Sequence, residues 1–314
     1  MVALALDAFT ASNATWHIPN DAHPEFPPQV SIVRACRTGC ASVPPFWMAV
    51  PTTNTMTTFG YPGGNVQEGL LTYGLWDAAE SRLAATVLSH GCSQGRLMVD
   101  VGSNTGFYSA MALSAGCHVQ AFDGSAVHAP YIELTAQLSG RPRSALEWTN
   151  SLVSDVSEAR EFNHWSIAFS DKTGQPRSKV QSIRLDEVLT GNRVWYMKVD
   201  VEGHEPEVFR GMRRLLSRSR VQVILWEHTP HLYARKRDRE KPPKAWLEEM
   251  GYWVSRLHGG GAGNYVALHS SVDPVLRRAV KAMQEDNIAD VLKGAGIDAH
   301  YKKGSKKLTQ APRR

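Results

Sequence analysis

Two stretches of this 314-residue sequence gather residue types that could do chemistry. The first, Leu97-Met-Val-Asp100-Val-Gly102-Ser-Asn104-Thr-Gly106-Phe-Tyr, sets an acid and two glycines where a short apolar run gives way to helical spacing. Glycine lets the chain turn tightly and lets a ligand approach the backbone. A dinucleotide loop starting at Gly102 would need glycine at 104 and 107, where this chain has Asn104 and Phe107, so a pyrophosphate is poorly served. A carboxylate at Asp100 would also repel a pyrophosphate, yet it could accept hydrogen bonds, directly or through water, from a cationic amino-acid ligand. S-adenosylmethionine is such a ligand. Asp123 ends the next apolar run, 23 residues after Asp100, where a carboxylate can take both hydroxyls of a ribose. The plainer alternative is that the glycines serve only a tight turn and Asp123 a helix cap.

The second stretch is Trp195-Tyr-Met-Lys198-Val-Asp200-Val-Glu202-Gly-His204-Glu205-Pro-Glu207. Strand alternation puts Lys198, Asp200 and Glu202 on one face if the chain stays extended. Charges at the end of a buried strand are costly unless paired or liganded, so they mark either a salt-bridge network or a reaction site. His204 is a candidate base, because an ordinary imidazole accepts a proton near neutral pH; it could equally cap the following helix. Glu227 and His228 follow a later apolar run and could converge with Asp200 and Glu202 on one oxygen-rich pocket. Nothing in the spacing fixes a coordination shell, so no metal is expected. Trp47, Tyr61, Tyr73, Trp76 and Trp226 could roof an acceptor pocket, with core packing as the commoner role.

The elements that must position these residues alternate, as in a parallel sheet with crossover helices. A helix runs from Trp76 to about Gly91. Strands are expected at Leu97–Val101, His118–Phe122, Trp165–Phe169, Val194–Val199 and Val221–Trp226. Helices are expected at Gly106–Ala115, Val127–Leu138 and Pro206–Leu216, while 141–163 is ambiguous. Lys244–Met250 reads as a helix, and Tyr252–Leu257 and Asn264–Leu268 as a hairpin, which forces one antiparallel strand into the sheet. Residues 1–60 hold seven of the seventeen prolines without sustained periodicity and read as an irregular extension. The main domain is expected over 61–270. Residues 271–314 read as a basic helix, Pro274–Leu292, and a disordered tail.

An apolar share of 42% suits a well-filled core. The formal charge of +5 lies in the tail: residues 271–314 carry ten Lys and Arg against five acids, and the remainder holds 25 of each. A neutral body argues against nucleic acid and for a small or uncharged partner, while the basic tail could meet an acidic one. Cys36, Cys40, Cys92 and Cys117 lack metal-ligand spacing and are read as reduced and structural, with a Cys36–Cys40 disulfide as the open alternative. No apolar run reaches the length of a membrane span. The start lacks a basic n-region, so a soluble and cytoplasmic chain is favoured.

Val99-Asp-Val-Gly-Ser-Asn-Thr-Gly-Phe-Tyr, Ala168-Phe-Ser-Asp-Lys-Thr-Gly174, Ile183-Arg-Leu-Asp186 and Met197-Lys-Val-Asp-Val-Glu-Gly-His-Glu-Pro-Glu-Val-Phe-Arg-Gly211 resemble the successive motifs of FkbM-type methyltransferases. The resemblance covers roughly residues 65–270. It implies a Rossmann-like class I methyltransferase fold, a three-layer α/β/α arrangement around a mostly parallel seven-stranded sheet with one antiparallel edge strand. It also implies S-adenosyl-L-methionine as cofactor and methyl transfer to a hydroxyl oxygen of a sugar or small metabolite. By motif, Asp100, Gly102, Asn104 and Gly106 would line the methionine part, Asp123 the ribose, and Ser170 with Asp171 the adenine. Asp200, Glu202, His204 and Glu227 are the candidate catalytic residues. Where the family often shows Glu-Pro, this chain has Asp123-Gly124, which shortens the carboxylate's reach by one methylene. Rival readings are a non-catalytic module on the same fold, a nicotinamide-dependent oxidoreductase, which the missing glycines disfavour, and a methyltransferase for another acceptor class.

Overall fold

In the computed structural model, the structure describes residues 16–18, 30–36, 40, 42–51, 70, 74–162, 178–234, 238, 243–257 and 263–284. The central sheet is built from β4 (Leu97–Val101), β5 (His118–Asp123), β6 (Leu146–Asn150), β10 (Val194–Val199), β11 (Val221–Trp226), β12 (Tyr252–Arg256) and β13 (Tyr265–His269). Their order is β12-β13-β11-β10-β4-β5-β6. β13 runs antiparallel to both of its neighbours, and the pairs from β11 across to β6 are parallel. The fold is thus the mostly parallel, Rossmann-like seven-stranded sheet of class I methyltransferases. Its antiparallel strand lies second from the margin, because the last strand slots between β11 and β12 instead of adding outside them. The third strand of the sheet is Leu146–Asn150, within the stretch that was ambiguous by sequence; Trp165–Phe169 lies outside the described residues.

Each central strand is an apolar run because both faces are covered. On one face lie α1 (Ala78–Gly91), α2 (Phe107–Ala115) and α8 (Pro274–Ala282), which pack Leu83, Val87, Met111 and Leu276 against Met98, Val119, Tyr196 and Leu225. On the other lie α5 (Glu205–Gly211), α6 (Arg213–Ser217) and α7 (Pro243–Glu249), whose Val208, Phe209, Leu215 and Leu247 meet Val99, Met197, Val199 and Trp226. Local chemistry sets the helix ends. Asp77 accepts from the amides of Ala79 and Glu80 at the start of α1, Asp273 caps α8 in the same way, and Gly116 closes α2 in the left-handed conformation. A smaller sheet, ordered β7 (Leu152–Val153), β9 (Ser178–Ile183), β8 (Ala159–Phe162), and the short helix α4 (Leu185–Val188) lie between β6 and β10 in the chain.

The N-terminal stretch is not irregular throughout. β1 (Trp16–Ile18), β2 (Val30–Ala35) and β3 (Phe46–Pro51) form an antiparallel sheet, and β2 and β3 bury Val30, Ile32 and Ala49 against Tyr131, Leu134 and Leu138 of α3 (Ala129–Leu138). Val33, Met48 and Val50 face the main core instead. Burial on both sides removes the alternation that would have signalled these strands. The cysteines also differ from expectation: Cys36–Cys40 and Cys92–Cys117 are both disulfides. Cys36–Cys40 is the alternative left open by sequence, whereas the 25-residue separation of Cys92 and Cys117 holds no trace of pairing; the fold creates it by placing the end of α1 beside the start of β5. Among the described residues no helix is long and apolar enough to cross a membrane. The described part of the last helix ends at Ala282, and the basic tail lies outside the described residues.

Candidate functional site

The strand order reverses between β4 and β10: the chain moves outward from β4 to β6, then returns to start again at β10. In open α/β sheets the crevice at such a switch point, beyond the carboxyl ends of the strands, is where ligands bind. Both chemically loaded stretches arrive there. In the turn after β4, the amides of Gly102 and Ser103 donate to the Phe122 carbonyl at 2.9 and 3.1 Å, stitching the turn to β5. Gly102, Asn104 and Gly106 all have positive φ (78°, 50° and 85°), a conformation that glycine and asparagine tolerate best. A Cβ at Gly102 would stand 1.8 Å from the Asp200 carbonyl oxygen, so the two loops meet only because residue 102 has no side chain.

Asp123 is held on three sides. Its Oδ2 accepts from the Asn104 amide at 2.8 Å, its Oδ1 from the Ser125 amide at 2.8 Å, and His128 Nδ1 lies 3.1 Å from that same Oδ1. Burial alone would raise its pKa, but His128 and the two amides outweigh burial and hold the carboxyl below its ordinary value. Asp100 sits differently. It is 1% exposed and accepts from the Ser109 hydroxyl at 2.7 Å, which ties the end of β4 to α2. Burial, opposed by that hydrogen bond, pushes its carboxyl up to about 6.

On the same face, Lys198 stands next to Asp100 in register and is also 1% exposed. Its Nζ lies 3.1 Å from Glu80 Oε2 and 3.2 Å from Asp200 Oδ2, and the Tyr108 hydroxyl donates to Glu80 Oε2 at 2.8 Å. Asp200 and Glu80 overcome the burial penalty and raise the Lys198 ammonium well above its usual range. Glu80, raised by burial and pulled back by Lys198, stands at about 7. It was not among the sequence candidates, although it occupies the apolar stripe of α1 with Leu83, Ala84 and Val87, where an acid is out of place.

Asp200, Glu202 and Glu227 converge, although the chain does not stay extended beyond Val199 and it is the turn at Glu202 that brings its carboxylate there. One carboxylate oxygen from each lies within 4.8 Å of the others. Burial and then Asp200 raise Glu202 to about 7; burial, Asp200, Glu202 and Glu205 raise Glu227 to about 9. Glu202 has a φ of 52°, an uncommon conformation for a non-glycine residue and one concentrated at functional sites. Beneath it, the wholly buried Glu205 accepts from the amides of Val201 and Gly203 at 3.2 and 3.1 Å and so fixes the loop that carries Glu202.

His204 is not brought to this cluster. Its Nε2 faces the Ser154 hydroxyl at 3.1 Å and its Nδ1 lies 3.6 Å from Glu207 Oε2; it precedes α5 without a side-chain cap. Ser170 and Asp171 lie outside the described residues, as do Tyr61 and Tyr73. Trp226 is fully buried, stacked on Tyr265 and edge-on to Phe209, and Trp47 and Trp76 pack against the cores, so these three are packing residues.

Comparison with known proteins bears on this arrangement. The model of the methyltransferase FkbM domain matches residues 100–257. Similar solved structures include the methyltransferase FkbM from Methylobacillus flagellatus KT, 9% identical, with a TM-score of 0.42 over 69% of this chain and 58% of that one. Monomeric WbdD is 16% identical, with a TM-score of 0.36 over 58% of this chain and 38% of that one. The precorrin-6y C5,15-methyltransferase of Geobacter metallireducens GS-15 is 13% identical, with a TM-score of 0.35 over 60% of this chain and 88% of that one. The chain thus spans somewhat over half of the first protein and well under half of the second. No curated protein sequence matches it. Class I methyltransferases generally use S-adenosylmethionine. Because the family match takes in the turn, the carboxylate loop and half of the sequence, the chain belongs to the FkbM methyltransferase domain family.

Proposed function

We propose that this protein transfers the methyl group of S-adenosylmethionine to a hydroxyl oxygen of a sugar or small metabolite. The observation that carries the reading is the meeting of the Gly102 turn with the Asp200–Glu202–Glu227 carboxylates at the switch point of the sheet. The residues suit the cofactor. The Asp200 carbonyl occupies the place where a Gly102 Cβ would stand, which brings the two loops together, and a carboxylate fixed by two amides and His128 is pre-set for a diol. When bound, the cofactor supplies a methyl carbon already activated by its sulfonium, which leaves as a neutral thioether with the electron pair of the broken carbon–sulfur bond.

The work left to the protein is alignment and proton removal. Gly102, Asn104 and Gly106 line the methionine part, Asp123 holds the ribose, and Ser170 with Asp171 flank the adenine. Asp100 acts from below, through α2 and the turn. One of Asp200, Glu202 and Glu227 accepts the hydrogen bond of the acceptor hydroxyl and takes its proton as the oxygen bonds to the methyl carbon. His204, turned toward Ser154 and Glu207, stays out of that path and positions the start of α5. A neutral body fits an uncharged acceptor, and the basic tail remains the segment suited to an acidic partner.

Calorimetric titration with S-adenosylhomocysteine tests the cofactor site without knowledge of the acceptor. The natural chain should bind, and a folded Asp123→Ala variant should bind roughly tenfold more weakly or worse, the scale of a lost charged hydrogen bond. No binding by the folded natural chain would overturn the reading. With binding established, a panel of hydroxylated acceptors and methyl-labelled cofactor tests transfer to oxygen.

A further inference from the structure

We propose that Asp200, Glu202 and Glu227 are the protein ligands of a hard divalent cation, Mg²⁺ or Mn²⁺, held at the carboxyl ends of β10 and β11. Spacing in the sequence pointed to no metal; the folded geometry does. The site itself stands on its own residues, and the role given to the ion rests on the methyl-transfer reading above.

One oxygen from each of the three carboxylates lies within 4.8 Å of the other two. Oxygens around a single Mg²⁺, each about 2.1 Å from the ion, stand roughly 3–4 Å apart, so a small rotation of the side chains closes the set. All three donors are carboxylate oxygens, the ligand type that favours Mg²⁺ and Mn²⁺ over zinc or copper.

Charge points the same way. Among the described residues Lys198 is a cation that acts on the cluster, and its Nζ is shared between Glu80 and Asp200, at 3.1 and 3.2 Å, so that one ammonium serves four carboxylates. Glu205, 0% exposed, holds the loop that carries Glu202, with Oε1 bound to the amides of Val201 and Gly203 and Oε2 without a hydrogen-bond partner. Asp200 acts electrostatically on Glu205, and Glu205 on Glu227, so this orphaned carboxylate belongs to the same field. Glu227 Oε2 is likewise shut off from solvent without a partner. Buried carboxylate oxygens that lack donors are costly, and converging ones are costlier still. A divalent ion among Asp200, Glu202 and Glu227 relieves both terms. Three protein ligands leave coordination positions for water and for the acceptor oxygen, whose hydroxyl the ion acidifies; with the ion in place the carboxylates hold the metal and the proton leaves to solvent water.

The test uses the full chain, stripped with chelator and titrated with Mn²⁺ alone, free ion being followed by electron paramagnetic resonance. One saturable site per chain is expected, weakened at least about tenfold in the near-isosteric Asp200→Asn/Glu227→Gln variant. Circular dichroism checks the variant's fold, and the single Glu227→Gln variant replaces it if the pair does not fold. Absence of saturable binding, or equal binding by a folded variant, overturns the proposal. Titrating the same samples with S-adenosylhomocysteine separates the two readings. A chain that binds the homocysteine product but no Mn²⁺ loses the metal site and keeps the methyltransferase reading. One that binds Mn²⁺ but not the product keeps the site and loses that reading.

Discussion

Lys198 on the central strand and Glu80 on α1 form a 3.1 Å ion pair almost wholly shut off from solvent, with side chains 2% and 4% exposed. Glu80 precedes the stretch that matches the family, so a residue outside the recognised domain neutralises a charge at its centre. Removing one partner of a buried pair leaves the other uncompensated. Lys198→Met should therefore cost about 3–5 kcal/mol, and adding Glu80→Gln should restore part of that loss. Chemical denaturation of the two single variants and the double variant measures the coupling; strictly additive losses would mean the pair is not an energetic unit.

Gly102→Ala should lose at least about 2 kcal/mol of stability, since the added carbon meets the Asp200 carbonyl at a backbone angle that side chains disfavour. Binding of S-adenosylhomocysteine should fall with it, because the loops that meet at Gly102 are forced apart. An alanine variant of unchanged melting temperature and affinity would contradict the close approach.

The pH dependence of stability has a defined sign at Asp100. Its carboxyl, raised from 3.8 to about 6 by burial, holds its proton more tightly in the folded chain than in the unfolded one. The stability this contributes is complete below the unfolded value and is lost as pH rises through about 6. Relative to Asp100→Asn, the natural chain should lose on the order of 3 kcal/mol between about pH 4 and pH 7. Urea titrations at stepped pH would reveal it, and a difference that stays flat across the window would show that Asp100 is better solvated than its burial implies.

Cys92–Cys117 ties the end of α1 to the start of β5 across 25 residues. Loop closure of that length stabilises by roughly 3 kcal/mol, so the Cys92→Ala/Cys117→Ala variant should melt several degrees lower, and reducing agent should do the same to the natural chain. Disulfides of this kind persist in oxidising compartments, which favours such a location over the cytoplasm. Insensitivity of the melting temperature to reduction, with free thiols counted before and after, would show that the bond is not made.

Much of the site was legible because two periods coincide with chemistry. Alternation along β10 placed Lys198 and Asp200 on one face before any fold was known, and the glycines at 102 and 106 marked the turn. Convergence with Glu227 was arguable from strand ends alone. Glu80 was not seen, because a lone acid in an amphipathic helix is ordinarily solvent-facing; its place on the apolar stripe was the available signal. His204 illustrates the opposite case, a titratable residue in the right motif whose ring nitrogens are turned to Ser154 and Glu207. The strand at Leu146–Asn150 is ambiguous in the sequence because it lies at the sheet's margin, where its half-exposed residues dilute the apolar run. The strands at 30–35 and 46–51 were hidden by burial on both sides.

The N-terminal sheet and α1 bear on where this protein can be cut. Leu83, Leu88, Val33 and Met48 share one apolar cluster with Met98, Met111 and Tyr196, and Val30 and Ala49 cover Tyr131 and Leu134. A fragment trimmed to residues 100–257 would expose both of those surfaces, lose Glu80 opposite Lys198 and lose β13 from the interior of the sheet. The segment by which relatives are recognised is therefore smaller than the segment that can fold, and an expression clone drawn to the former would yield aggregate where the longer chain yields protein.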